Sequence, residues 1–274
     1  MIRQTAKALF AGADLFRRRF PGPRILIYHQ VGSDLRREME VSFEVFRRQL
    51  DWMQEHGEIV PFEYALARVQ DENADRLFVL SFDDGYRDVY ENAFPLLLER
   101  RIPFTLYLTT HPIESGLALT PGGRADPLSW DQIRKMNATG LMTLGSHTHR
   151  HLDLRKLGSG IIEEELDVSN HLIQERLGVT LRHFAYPWGY WAEKAEPLVK
   201  ARFSTAVLGA GRPIKPEYDP YRIHRVPIQR SDGMVFFRRK VKRGMLLEET
   251  IRRRLRGYKG APTVENSPAV RVVA

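Results

Sequence analysis

Three short segments concentrate the residue types that do chemistry. Asp83 and Asp84 stand side by side in Ser81-Phe82-Asp83-Asp84-Gly85, at the end of an apolar run. Adjacent side chains on a strand point opposite ways, so one carboxylate can meet a cation while the other addresses a different part of a pocket. Asp-Asp-Gly is also an ordinary turn sequence, and the segment alone leaves both readings open. His147 and His151 lie four apart in His147-Thr148-His149-Arg150-His151, a separation that a helical turn or tight loop closes onto one side. Two imidazoles so placed suit a divalent metal, with a carboxylate as third ligand and open positions for water or substrate. His149, between them, is expected to point away from the pair. The third segment, Phe184 to Trp191, holds five aromatic side chains around Tyr186-Pro187-Trp188-Gly189. It reads either as aromatic core or as a wall on which sugar rings stack, with the Trp188 amide as a candidate oxyanion donor.

These segments need a scaffold that brings them together. Short apolar runs at 24–29, 77–82, 104–109, 142–147, 181–186, 203–208 and 225–228 read as strands. Amphipathic stretches at 42–56, 62–70, 87–101, 129–138, 159–177 and 190–202 read as helices, and Ser42 and Ser129 suit two N-caps. Repeated strand–helix units imply a parallel sheet with helices outside. About seven such units favour closure into an α/β barrel of the TIM-like (β/α) kind. Tyr28-His29, Asp83-Asp84-Gly85, Ser146-His147 and Tyr186 to Gly189 all fall at carboxyl ends of strands, which share one face of such a barrel.

Composition bounds the rest. The chain has 274 residues, 43% of them hydrophobic and 28% charged, which supplies a core and excludes a disordered tail protein. No apolar run approaches the roughly 18 residues of a membrane-spanning helix. The absence of cysteine removes disulfide scaffolds, thiolate zinc fingers, Fe–S clusters and cysteine nucleophiles. The net charge is +8 and unevenly placed. Residues 1–20 carry Arg3, Lys7, Arg17, Arg18 and Arg19 against Asp14, and residues 234–257 carry nine Arg or Lys against Glu248 and Glu249. The ends therefore hold more than the whole net charge, and the body between them is acidic. Apolar residues interleave those cations, so the ends read as basic amphipathic helices that rest either on the domain or on anionic lipid. Nucleic acid is disfavoured as a partner by the acidic body and the lack of a binding signature. The organisation expected is a basic extension over 1–22, a barrel domain over 23–232, a basic helix over 233–257 and a loose tail over 258–274. Without an uninterrupted apolar stretch near the start, the expected location is cytoplasmic, with peripheral contact at the inner membrane face.

The ordered set SFDDG, HTxxH and YPWG resembles the polysaccharide deacetylases of the NodB-homology type, carbohydrate esterase family 4. The flanks ILIYHQVG (25–32), SWDQIRKM (129–136) and RIHRVPI (222–228) extend the resemblance over nearly the whole body. The resemblance implies a distorted (β/α) barrel with about seven strands. It also implies that Asp84, His147 and His151 would hold one divalent ion, zinc first, with cobalt or nickel as alternatives. Asp83 would be the general base, and Thr148 would fix the histidine loop. The Trp188 N–H would face the oxyanion, and His29, Tyr186, Pro187, Gly189 and Arg225 would line the substrate site. Two departures stand out. Where many relatives place an arginine that orients the catalytic aspartate, this chain has Ala185; Arg225 is the expected substitute, with Arg222 behind it. The late Leu-x-His motif that donates a proton in relatives is missing, which leaves His29 or His224 for that role. The reading implied is a metal-dependent hydrolase removing N-acetyl groups from N-acetylhexosamine units of a polysaccharide, oligosaccharide or lipid-linked glycan. The alternatives are a non-catalytic carbohydrate-binding relative, or an O-deacetylase or other amidohydrolase on the same scaffold.

Overall fold

Alternating apolar and amphipathic stretches fold into seven parallel strands closed on themselves. The computed structural model describes residues 22–118, 125–209, 214, 217–243 and 251. The barrel strands are β1 (Arg24–Tyr28), β2 (Leu77–Asp84), β3 (Phe104–Leu108), β4 (Met142–Ser146), β5 (His183–Ala185), β6 (Thr205–Gly209) and β7 (Ile223–Pro227). Each pairs in parallel with the next, and β7 returns to β1 with Leu26 opposite Val226. A two-residue strand, Glu58–Ile59, adds to the start of β2. The helices are α1 (Phe43–His56), α2 (Phe62–Ala67), α3 (Phe94–Glu99), α4 (Thr110–Ser115), α5 (Trp130–Asn137), α6 (Ser159–Leu177), α7 (Glu196–Lys200) and α8 (Val235–Arg243).

Ser42 accepts from the Val45 amide, and Ser129 forms a capping box with Gln132, so both expected N-caps are present. Two expected helices differ in detail. The stretch 87–101 opens with a π-helical turn, Val89–Ala93, because Pro95 has no N–H for the Glu91 carbonyl. The stretch 190–202 shrinks to α7, since Pro197 is tolerated only in a helix's first turn. Helix α4 was not anticipated. The basic extension expected over 1–22 and the tail over 258–274 lie outside the described residues, apart from Gly22; of the helix expected over 233–257, α8 is described.

Strand alternation sorts the core into two layers. Ile25, Val79, Tyr107, Ala185, Val207 and Ile223 fill the barrel interior, closed by Phe62 and Ala65 of α2. Leu26, Leu80, Phe82, Leu106 and Leu108 point outward onto Phe46, Leu97, Ile133, Leu166 and Ile173 of the helices. Tyr107 fills its interior position only because Gly145 lies opposite on β4. A Cβ there would sit 2.4 Å from the Tyr107 ring and 3.0 Å from the His183 carbonyl oxygen. At the interior's foot, His183 satisfies both ring nitrogens, with Nδ1 2.8 Å from Thr205 Oγ1 and Nε2 2.7 Å from Glu63 Oε1.

The segment after β1 is pinned to the rim by the start of the π-helical turn. Asp88 accepts from the Val31 amide at 2.9 Å and from Gln30 Nε2 at 3.2 Å, while Asn92 donates to the carbonyls of Val31 and Gly32. Burial, against these hydrogen bonds and with help from Glu40 and Glu91, pushes the Asp88 carboxyl up to about 7.

Two predictions follow from this packing. Gly145→Ala overpacks the barrel interior and should cost about 1–3 kcal/mol, read as a Tm lower by roughly 2–12 °C. Asp88 binds its proton more tightly folded than unfolded, so its contribution is full below about pH 4 and disappears as pH rises through about 7. Denaturation series at several pH values should therefore show the wild type losing on the order of 1–3 kcal/mol relative to Asp88→Asn across that window.

Candidate metal centre and catalytic rim

Because all seven strands run the same way, their carboxyl ends meet on one rim, where the chemistry-bearing residues converge. On β2, Asp83 continues the inward face of Val79 and Ser81. Asp84, one residue later, adopts φ +73°, a left-handed conformation that turns its carboxylate over the rim. The two aspartates therefore have separate surroundings.

Asp84 Oδ1 lies 3.5 Å from His147 Nε2 and 3.4 Å from His151 Nε2. His147 Nδ1 is 2.7 Å from the Ala185 carbonyl and must donate to it, which leaves Nε2 as a lone pair aimed at Asp84. Burial, against the pull of Asp83, takes the His147 imidazole down to about 4 and so keeps it neutral. Asp84 Oδ1 is buried with no hydrogen-bond donor among the described residues. The Asp84 carboxylate and the His147 lone pair repel when no proton or cation lies between them. The spacing of the three residues, with one ligand atom from each within 4.8 Å of the others, resembles the ~3.4 Å edge of a tetrahedron with ~2.1 Å bonds. The donor set therefore fits a divalent metal.

The histidine loop is held from three sides. Thr148 and His151 have left-handed φ of +69° and +58°, and Thr148 Oγ1 accepts from the His151 amide at 3.1 Å. The amides of Thr110 and His111 donate to the carbonyls of Thr148 and His149. Arg150 bonds through its amide and its Nε to Glu165 of α6, a fully buried carboxylate. His149 turns from the pair toward Thr110 Oγ1, 2.9 Å away.

Asp83 is 3% exposed and faces Arg225, which is fully buried. Nη1 and Nη2 donate to Oδ1 and Oδ2 of Asp83, each at 2.7 Å, and Nη1 also donates to Ser81 Oγ. The guanidinium carbon stands 5.0 Å from the Tyr107 ring centroid. Burial alone would raise the Asp83 carboxyl, but Arg225 and His147 bring it to about 2. Its Oδ2 is 3.9 Å from His147 Nε2, so the base candidate borders the metal candidate without joining it.

The remaining candidates divide. His29, at the end of β1, is half-buried near Asp83, and its Nδ1 has no hydrogen-bond partner among the described residues. Trp188 is 58% exposed, with its ring 5.3 Å from that of His151. The expected aromatic wall reduces to this one residue. Tyr186 is fully buried against Phe184 in the outer core, because alternation along β5 directs both away from the barrel interior. Pro187 is buried too, and Gly189 serves a close backbone approach, since a Cβ there would lie 2.7 Å from the Gly209 nitrogen. His224 is also corrected as a proton donor: beside inward-facing Arg225, it lies on the other face of β7. Arg222 pairs with Glu196 rather than with Asp83. Sequence reasoning missed Ser81, Tyr107 and Glu165. The i, i+2 relation of Ser81 to Asp83 was a usable signal for the first; the other two act through register and helix docking.

Residues 70–203 match the family model described as polysaccharide deacetylase. The poly-beta-1,6-N-acetyl-D-glucosamine N-deacetylase of Staphylococcus epidermidis is 27% identical over 209 residues, covering 71% of this chain and 70% of that protein. Among solved structures, IcaB from Ammonifex degensii superposes with a TM-score of 0.68 at 25% identity, over 82% of this chain and 99% of its own. The Streptococcus pyogenes deacetylase PplD, solved with acetate, shares the fold at a TM-score of 0.67 and 20% identity, over 82% of this chain and 99% of its own. The family match spans the strands that lead into both aspartates and both histidines, on the same barrel, and residues 70–203 are a domain of the polysaccharide deacetylase family.

Proposed function

We propose that the chain is a metal-dependent N-deacetylase acting on N-acetylhexosamine units, in a glycan of the poly-N-acetylglucosamine kind. One observation carries the reading: a buried Asp84 oxygen with no hydrogen-bond partner among the described residues faces the Nε2 atoms of two histidines, beside a second aspartate locked as its carboxylate. Asp84, His147 and His151 would hold the ion. When bound, it supplies Lewis acidity and lowers the pKa of water, which amide hydrolysis requires.

Asp83 is the proton acceptor in this reading. A carboxylate near pKa 2 is a weak base, so its usefulness rests on position: Arg225 holds both oxygens and keeps them ionised over the working pH range. His29, on the same rim, supplies the proton for the departing amine. Trp188 offers an exposed indole beside His151 as a platform for the apolar face of a sugar ring. The homologue's named substrate and the acetate bound to the PplD structure support an acetylated glycan as the substrate.

Acetate release from N-acetylglucosamine oligomers tests the reaction. Asp83→Asn should lower kcat by about 10²–10⁴-fold while leaving metal content near that of the wild type. His147→Ala should lose both metal and activity, and full metal retention by that variant would refute the ligand assignment. Arg225→Ala leaves Asp83 buried and unpaired, which should cost about 3–5 kcal/mol in denaturant unfolding along with most of the activity.

A further inference from the structure

The face opposite the rim carries a second concave site. All the barrel strands begin there, and the five residues of β1 place it roughly 15 Å from the rim at about 3.3 Å per residue. Between the end of α1, the turn before β2 and α8 lies a small open cavity of about 80 Å³ whose lining includes Arg24, Trp52, His56, Asp75, Arg76 and Lys242. Counting Arg, Lys and Asp alone, three cations face one carboxylate.

Arg24 is 2% exposed, and its guanidinium donates to the carbonyls of Gly22 and Asp75 at 2.6 Å and of Val241 at 2.9 Å. It thereby ties the first described residues of the chain to α8. Trp52 walls the cavity, stacked on His56 at 4.2 Å, with the Lys242 ammonium 5.4 Å from a ring centroid. On the later turns of α8, Arg238 is exposed and Lys242 half-buried, and Lys242 lines the cavity. The chain segments adjoining this face in sequence, 1–20 and 244–257, are themselves net basic.

We propose that this face docks onto an anionic phospholipid surface, with phosphate headgroups at the mouth of the cavity beside Arg76 and Lys242, so that the rim bearing Asp83 and Asp84 faces away from the membrane. Cations gathered at one face, flanked by basic stretches of the chain, suit an anionic lipid interface. Single-stranded nucleic acid is the weaker fit, because base stacking needs an open aromatic face and Trp52 is 5% exposed. The proposal stands independently of the N-deacetylase reading.

Flotation of the full chain with phosphatidylcholine vesicles, with and without phosphatidylglycerol, tests it. The protein should float with the anionic vesicles only, and less so as salt rises. The double variant R76E/K242E should partition at least about tenfold less, while Lys156→Glu, a reversal at an exposed site distant in sequence, should float like the wild type. Unchanged melting and acetate release would show the double variant folded; if it is not, R76Q/K242Q should give the same loss in smaller measure. Equal flotation with neutral vesicles, or wild-type partition by a folded double variant, would overturn the proposal. Tighter binding to a single-stranded RNA than to anionic vesicles at the same salt would overturn it in favour of nucleic acid.

Discussion

The bidentate pair of Arg225 and Asp83 is the interaction around which the rim is arranged. A guanidinium and a carboxylate buried together are tolerable only when their geometry is good and their remaining hydrogen-bonding capacity is used. Here both carboxylate oxygens are engaged at 2.7 Å, Ser81 takes a further guanidinium proton and Tyr107 lies against its face, which leaves only Nε of the guanidinium without a hydrogen-bond partner among the described residues. Tyr107 can occupy that place because β4 presents Gly145 to it. Charge pairing at the rim is thus coupled to packing one layer below. Ala185 belongs to the same arrangement: a small residue on β5 leaves room in an interior that already contains the Arg225 side chain.

Backbone conformation does the rest of the positioning. Seven described non-glycine residues have positive φ, and four of them, Asp84, Thr148, His151 and Trp188, are on the rim. A residue held there costs on the order of 1–3 kcal/mol and persists only where its neighbours over-determine it. For the histidine loop those neighbours are Thr148 Oγ1, the carbonyl-bound amides of Thr110 and His111, and the Arg150–Glu165 pair. The strain is concentrated where ligand atoms must converge, and it is absent from the regular strands beneath.

The two ends of the barrel divide the labour. The carboxyl-end rim gathers the Asp84 carboxylate and the His147 lone pair, which repel unless a proton or cation lies between them. The opposite end gathers cations around Arg24, close to where the most basic stretches of the chain join the body. Between them, the interior is sealed by Phe62 and Ala65, and His183 at its foot is satisfied by hydrogen bonds to Thr205 and Glu63. The proposed chemistry at one end and the proposed attachment at the other therefore make no competing demands on the same residues.

The strand positions, the two N-caps and the rim location of Asp83, Asp84, His147 and Trp188 were legible in the sequence. Each depends on local periodicity and on the rule that parallel strands share their carboxyl ends. Proline also spoke locally, although its shortening of the 190–202 helix was missed. What tertiary structure decided was the direction and partner of individual side chains. Whether Tyr186 faced substrate or core turned on which face of β5 was interior, and the barrel's closure settles that. Arg225 meets Asp83 across 142 residues of chain, and Tyr107 meets Arg225 through the register of β2 against β3. Periodicity along one strand reports only that alternate residues share a face. Which faces meet, and at what register, is set by contacts that form only when distant strands close the ring.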